Sequence, residues 1–228
     1  MNVSIIVAAG SGTRFGADRP KQFLEIGGKP LLIHTLEKFQ NCNSIDEIVL
    51  ILSANEIENF QKTLTEFPIT KLSKIIAGGK TRAESVRNGI FSLDSEKTEI
   101  VAVHDGARPF VSSEEIAETV ENAKENTAVC LVAPVFDTIK KVENGKIIET
   151  IDRNSLRRSL TPQTFKFEIL KQSFSPENFD ENATDECFLV EKAGHEIFFI
   201  DGSPKNIKIT TREDFQIAEM FLKNEIGF

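Results

Sequence analysis

Up to Pro134, apolar runs suited to strands alternate with amphipathic patterns suited to helices. No other feature restricts the fold of this chain as much. The apolar runs are Val3–Val7, Glu47–Leu52, Lys74–Ile76, Ile100–Val103 and Val129–Ala133. Helical periodicity fills the gaps at Pro30–Phe39, Glu56–Phe67, Thr81–Leu93 and Ser113–Asn126. Strand–helix–strand units join parallel neighbours. The sequence therefore predicts an α/β fold, a mainly parallel twisted sheet covered by helices. Ligands in such sheets sit at the carboxyl ends of the strands. Three segments fall there: the loop after Val7, Ala77–Ser85 and His104–Pro109.

The alternation stops after Pro134. Asp137–Val142 and Lys146–Ile151 read as two short strands around Glu143-Asn144-Gly145, and Asn-Gly is a hairpin signal. The hairpin alternates Lys, Thr and Glu and offers no core face, so it is expected to pack on a partner subunit. Beyond it, Phe167–Ser173 reads as a helix, and a second helix begins at Thr184-Asp185-Glu186, with the Thr184 hydroxyl as cap and acids in the first turn. Glu196–Ile200 reads as a strand, and Lys208 and Thr210 are expected on one face of another. A last helix starts near Thr211, with Asp214 at capping-box spacing. Residues 1–228 are thus expected to form one domain with a dimerisation arm at about 135–158.

The first strand runs into Ala8-Ala9-Gly10-Ser11-Gly12-Thr13-Arg14, and Pro20-Lys21-Gln22 follows. Bare backbone N–H groups beside fixed cations suit a polyphosphate. A Walker A loop is excluded, because no Gly-Lys followed by Ser or Thr closes the loop. A dinucleotide turn needs an immediate helix and an acid ending the next strand. Here Asp18-Arg19-Pro20 interrupts any helix, and the next strand ends in Ser53-Ala54-Asn55. A nucleotidyltransferase loop remains, alongside a plain strand-to-loop turn.

The net charge of −8 argues against nucleic acid or an anionic membrane as partner, so a phosphate site must gather its cations locally. No apolar stretch approaches a membrane span, and no signal peptide is expected. Cys42, Cys130 and Cys187 are dispersed and odd in number, which points to a reducing compartment, the cytoplasm. His34, His104 and His195 share no zinc-like spacing. Trp and Tyr are absent, so a base would be held by backbone and small side chains, or by one of the 18 Phe residues.

Gly78-Gly79-Lys80-Thr81-Arg82-Ala83-Glu84-Ser85 joins a strand to a helix, where Ser85 could meet a base edge. His104-Asp105-Gly106-Ala107-Arg108-Pro109 follows an apolar strand. A single Asp beside a triphosphate loop suits Mg²⁺, and Arg108 is placed to pair with it and hold the loop. A lysine such as Lys208 near a buried site needs an anion.

In this order the segments resemble the 2-C-methyl-D-erythritol 4-phosphate cytidylyltransferase family of the non-mevalonate isoprenoid pathway. Asp137-Thr138-Ile139-Lys140, Asp152-Arg153, Thr161-Pro162-Gln163, Thr184-Asp185-Glu186 and Asn206-Ile207-Lys208 extend the match over nearly the whole chain. The resemblance implies a Rossmann-like fold, Mg²⁺, and a homodimer formed by the arm. CTP would lie against Ala8, Ala9, Gly10, Gly12, Gly79, Arg82, Ser85 and Ala107. Arg14, Lys21 and Lys208 would act on the triphosphate, and Asp105 would hold the metal. Thr138 and Arg153 would bind the sugar phosphate of the neighbouring subunit, with Thr184 close by. A ribitol 5-phosphate cytidylyltransferase shares the same loops, and a non-catalytic nucleotide-binding protein is the alternative from another class. Val7 and the basic stretch Ser155–Leu160 depart from the family pattern.

Overall fold

A computed structural model describes residues 1–10 and 20–226. In chain order the strands are β1 (Asn2–Ala8), β2 (Glu25–Ile26), β3 (Lys29–Pro30), β4 (Glu47–Leu52), β5 (Leu72–Ala77), β6 (Ile100–Asp105), β7 (Ala128–Pro134), β8 (Ile139–Glu143), β9 (Lys146–Ile151), β10 (Arg157–Lys166) and β11 (Phe198–Asp201). The helices are α1 (Leu31–Gln40), α2 (Ile57–Glu66), α3 (Arg82–Phe91), α4 (Ser113–Asn126), α5 (Phe167–Ser173), α6 (Glu186–Lys192) and α7 (Arg212–Ile226).

Seven strands form the central sheet in the order β11-β7-β10-β6-β1-β4-β5. Pairing is parallel except at β10, which runs against both β6 and β7. Alternate residues of each strand serve opposite faces. Ile48, Leu50 and Leu52 of β4 join a core with Leu36, Phe39 and Phe60 of α1 and α2 and Ile116 of α4. Val49 and Ile51 join the opposite core with Val86 of α3, Leu170 of α5 and Leu189 of α6. The fold is therefore the expected Rossmann-like α/β sheet with helices on both faces. A smaller core, with Ile26, Leu31, Ala218 and Leu222, seats α7 beside β2.

Helix entry follows local chemistry. Thr81 and Glu84 close a capping box on α3, as Ser112 and Glu115 do on α4. Asp214 Oδ2 accepts from the backbone of Thr210 and Thr211 at the start of α7. On α6 the cap is Asp185, whose carboxylate accepts from Phe188 N at 3.0 Å; the expected hydroxyl cap, Thr184, stands one residue too early. The strand read at 196–200 forms at Phe198–Asp201.

The arm is a separate two-stranded ribbon, β8 paired with β9. Asn144 and Gly145 both take positive φ, 48° and 76°, the two-residue turn that Asn-Gly favours. The ribbon belongs to none of the three buried cores, and it carries exposed apolar side chains. Phe136 at its root and Val142, Ile147 and Ile148 on the ribbon are exposed. The chain leaves the sheet after Pro134 and re-enters at Arg157, its partner across the ladder.

Candidate active site

The carboxyl ends of β1, β5 and β6 surround a cavity of about 400 Å³. Ala8, Ala9, Gly10, Gly79, Arg82, Ser85, Asp105, Ala107, Lys21 and Lys208, read separately from sequence, all line it. Arg14 and Gly12 lie outside the described residues. Lys80, Thr81, Gln22 and Thr210 also line the cavity. Among the described lining residues, four cations face a single carboxylate, so a protein of charge −8 concentrates positive charge here.

Small side chains bring the three loops together. A methyl added at Gly78 would overlap the Ala9 methyl and fall 2.8 Å from Ser85 Oγ. One added at Gly106 would fall 2.9 Å from the Ala8 Cβ. Gln22, buried behind the first loop, donates from Nε2 to Ala8 O at 2.8 Å and Gly10 O at 3.1 Å. The Ser85 hydroxyl donates to Thr81 O at 2.8 Å and accepts from Gly79 N at 3.1 Å. Its proton is used within the loop, so toward a ligand it offers a lone pair.

Asp105 is the charged centre. Its Oδ1 accepts from Arg82 Nε at 3.0 Å, and its Oδ2 lies 2.8 Å from Lys208 Nζ and 3.6 Å from Arg108 Nε. Burial alone would raise this carboxyl. The charges of Arg82, Lys208 and Arg108 overcome that and hold it well below the usual carboxylate range. Arg108 reaches across to Asn206 O at 2.8 Å. Lys208 does not stand on a strand as expected. Residues 206–210 belong to no strand or helix and are tied by Ile209 N to Ala107 O at 2.9 Å and by Asn206 Nδ2 to Thr161 O at 2.9 Å. Lys21 Nζ donates to Ile209 O, binding the first loop to that segment.

His104 braces the loop. Burial lowers its pKa to about 4, so the ring is neutral at pH 7. Asp105 N donates to Thr161 Oγ1 at 3.2 Å, leaving the hydroxyl proton for His104 Nδ1 at 3.0 Å. The Nε2–H then donates to Arg108 O at 3.0 Å.

Glu186 is the residue whose role the sequence reading missed, taking it only as a first-turn acid. It is buried, and its carboxylate grips Arg82 Nη1 at 2.5 Å and Nη2 at 3.2 Å. Burial pushes the Glu186 carboxyl up, and Arg82 draws it part of the way back. On Arg82, burial opposes the charge, but Glu186 and Asp105 together raise its pKa above the ordinary value. Glu186→Gln takes from this guanidinium its two-pronged buried anion and leaves it Asp105 alone. It is expected to cost about 3 kcal/mol of stability, read as a lower urea midpoint at constant slope. An unchanged midpoint would show that the pair is dispensable.

Thr138, Arg153 and Thr184 are exposed and do not line the cavity of their own chain. Arg153 sits at the foot of the arm, with Nη1 donating to Phe136 O at 2.6 Å. Thr184 precedes Asp185 and Glu186 at the entry to α6. In the basic stretch, Arg157 pairs with Asp201 at 3.1 Å and lies over the Phe199 ring.

Among the described residues no three His, Cys, Asp or Glu side chains cluster as metal ligands. Asp105 is the one carboxylate in the cavity lining, with both oxygens facing cations. Such a site fits a hard cation that takes most of its ligands from phosphate and water and one oxygen from protein. No helix among the described residues is long and apolar enough to cross a membrane.

The comparisons agree with this geometry. Residues 2–224 match the family model for 2-C-methyl-D-erythritol 4-phosphate cytidylyltransferase. The chain is 40% identical over 227 residues to the enzyme of that name from Bacillus velezensis, covering 99% of this chain and 97% of that one. It is 42% identical over 226 residues to the one from Clostridium tetani, covering 97% and 90%. It superposes on the crystal structure of 4-diphosphocytidyl-2C-methyl-D-erythritol synthase from Anaerococcus prevotii with a TM-score of 0.86 at 29% identity, covering 98% of this chain and 96% of that one. The chain therefore belongs to the 2-C-methyl-D-erythritol 4-phosphate cytidylyltransferase family of nucleotidyltransferases.

Proposed function

We propose that this protein transfers the cytidylyl group of CTP to 2-C-methyl-D-erythritol 4-phosphate, giving 4-diphosphocytidyl-2-C-methyl-D-erythritol and pyrophosphate in isoprenoid precursor synthesis. One observation carries the reading: the cavity gathers Lys21, Lys80, Arg82 and Lys208 around Asp105, in a chain that matches the family model along almost its whole length.

A phosphate oxygen of the acceptor attacks the α-phosphorus of CTP in line with departing pyrophosphate. The acceptor is already anionic, so no general base is needed, which agrees with the neutral, inward-facing His104. The barrier is repulsion between anions and charge building on the α-phosphate and leaving group. Lys21 and Lys208, with Arg14 by resemblance, lower it by standing in place before the reaction. The base lies against Ala8, Ala9 and the 79–85 loop, where the Ser85 lone pair suits the amino group of cytosine. The protein works in the cytoplasm as a homodimer. Thr138 and Arg153 of each arm meet the acceptor phosphate at the partner's cavity, near Thr184.

Mg²⁺ entering on the triphosphate would offset phosphate charge and take one oxygen from Asp105. Asp105→Asn is accordingly expected to raise the Mg²⁺ concentration at half-maximal rate about tenfold. An identical titration for mutant and wild type would leave Asp105 as the partner of Arg82, Lys208 and Arg108 alone.

The function itself is tested by pyrophosphate release, assayed with each of the four nucleoside triphosphates and with methylerythritol 4-phosphate or ribitol 5-phosphate. Release only with CTP and methylerythritol 4-phosphate is expected. Preference for ribitol 5-phosphate reassigns the acceptor, and no release with either one makes the chain a nucleotide binder.

A further inference from the structure

Gln163 is a fully buried amide on β10 that does not line the cavity, and its side chain uses all of its hydrogen-bonding capacity. Its Oε1 accepts from Glu186 N and Cys187 N, both at 3.0 Å. Its Nε2 donates to Asp185 Oδ2 and Ser159 Oγ, each at 2.9 Å. Turned over, the amide would set its NH2 against two N–H groups and its oxygen against a carboxylate, so the network admits one orientation. Glu186 and Cys187 open α6, where backbone N–H groups have no partner within the helix. Gln163 satisfies these two. Asp185, which caps Phe188 N, is held by Gln163 in turn.

The backbone of Gln163 is fixed as well. It stands in the sheet between Val103 of β6 and Cys130 of β7, and β6 ends just beyond Val103 at Asp105. One residue therefore joins the strand that ends in Asp105 to the helix that begins with Glu186. Those two carboxylates share the Arg82 guanidinium, Asp105 at Nε and Glu186 at Nη1 and Nη2.

We propose that Gln163 is a positioning residue of the nucleotide site, which sets the spacing of Asp105 and Glu186 and so aims Arg82 into the cavity. Without its amide the first turn of α6 keeps two N–H groups unpaired, and it must open to satisfy them. Glu186 then leaves Arg82. Lys21 and Lys208 are held elsewhere, at Ile209 O and Asp105 Oδ2. The effect accordingly falls on nucleotide binding more than on turnover.

The test uses the full-length protein and begins with Gln163→Met, which keeps the volume and removes the amide. Hydrogen exchange at the Glu186 and Cys187 amides should quicken about a hundredfold, while α2, on the opposite face of the sheet, keeps wild-type rates. The KM for CTP should rise about tenfold with kcat within about twofold of wild type. Glu186→Gln should raise that KM about as much, and the double variant should stay near tenfold, because both act through one contact. A second pair of variants reverses the donor and the acceptor. Gln163→Glu sets a carboxylate against Asp185 and should raise the KM about tenfold; adding Asp185→Asn restores a donor there and should return it to within about twofold. This arm holds even if Gln163→Met does not fold.

Wild-type exchange in Gln163→Met overturns the positioning of α6 whatever nucleotide the cavity takes. Fast exchange with an unchanged KM overturns the link to Arg82. Effects that multiply to about a hundredfold in the double variant show that Gln163 acts by another route. A Gln163→Glu defect that Asp185→Asn does not relieve overturns the pairing. The kinetic arms rest on the CTP reading above, whereas the exchange arm does not.

Discussion

Lys21→Ala is expected to lower kcat by about 10²–10³, with a smaller change in the KM for CTP. Pro20 ends the first loop in extended backbone, and Lys21 opens the short turn that follows, on the wall of the cavity. Its ammonium reaches the carbonyl of Ile209, next to Lys208, so two cations of the site are built as one unit. Charge grows on the α-phosphate and on pyrophosphate only as the reaction proceeds. A cation fixed beforehand therefore contributes more to the transition state than to the bound substrate. The measurement is steady-state kinetics on folded protein, with CTP affinity followed separately by titration. A variant with wild-type kcat and weakened CTP binding would make Lys21 a uniform binding residue.

Mixing two inactive variants should restore about a quarter of wild-type activity. Lys21→Ala disables the cavity of its own chain. Arg153→Ala disables only the cavity that its arm reaches, which in the proposed isologous dimer belongs to the partner. Equal amounts refolded together give about half mixed dimers. In each of these one site carries both lesions and the other carries none, so about a quarter of all sites are intact. The exposed Phe136, Val142, Ile147 and Ile148 on a ribbon with no core of its own are what a second subunit would cover. If mixed dimers form and the mixture stays as inactive as its parents, Arg153 serves its own chain.

The centre of the parallel sheet was legible because β1, β4, β6 and β7 are mainly apolar runs buried on both faces, as at Ile48–Leu52. β10 was not, though it sits between β6 and β7. Pro162 interrupts it, Arg157 and Arg158 open it, and its register shifts between Ser159 and Gln163, so neither period nor composition marks a central strand. The expected strand around Lys208 failed for the opposite reason. Alternation at Ile207 and Ile209 looks like a strand, but that segment is held by bonds to the 105–109 loop and Thr161 and by no ladder. In the site, glycines and cations announced themselves locally. Glu186 did not, since it acquires its meaning from Arg82, a partner on a distant element.

The antiparallel course of β10 has an evolutionary consequence. Because it runs against β7, its first residue stands opposite the last residue of β7, and both lie on the rim that holds the cavity. Residues 135–156 therefore hang between two adjacent fixed points, as an insertion does. Their length and composition can drift without moving a core side chain, since closing a longer loop between fixed ends costs little. The cavity and the arm thus form separate heritable parts. A lineage could change the acceptor or the subunit that the arm meets, and inherit unaltered the way the nucleotide is held.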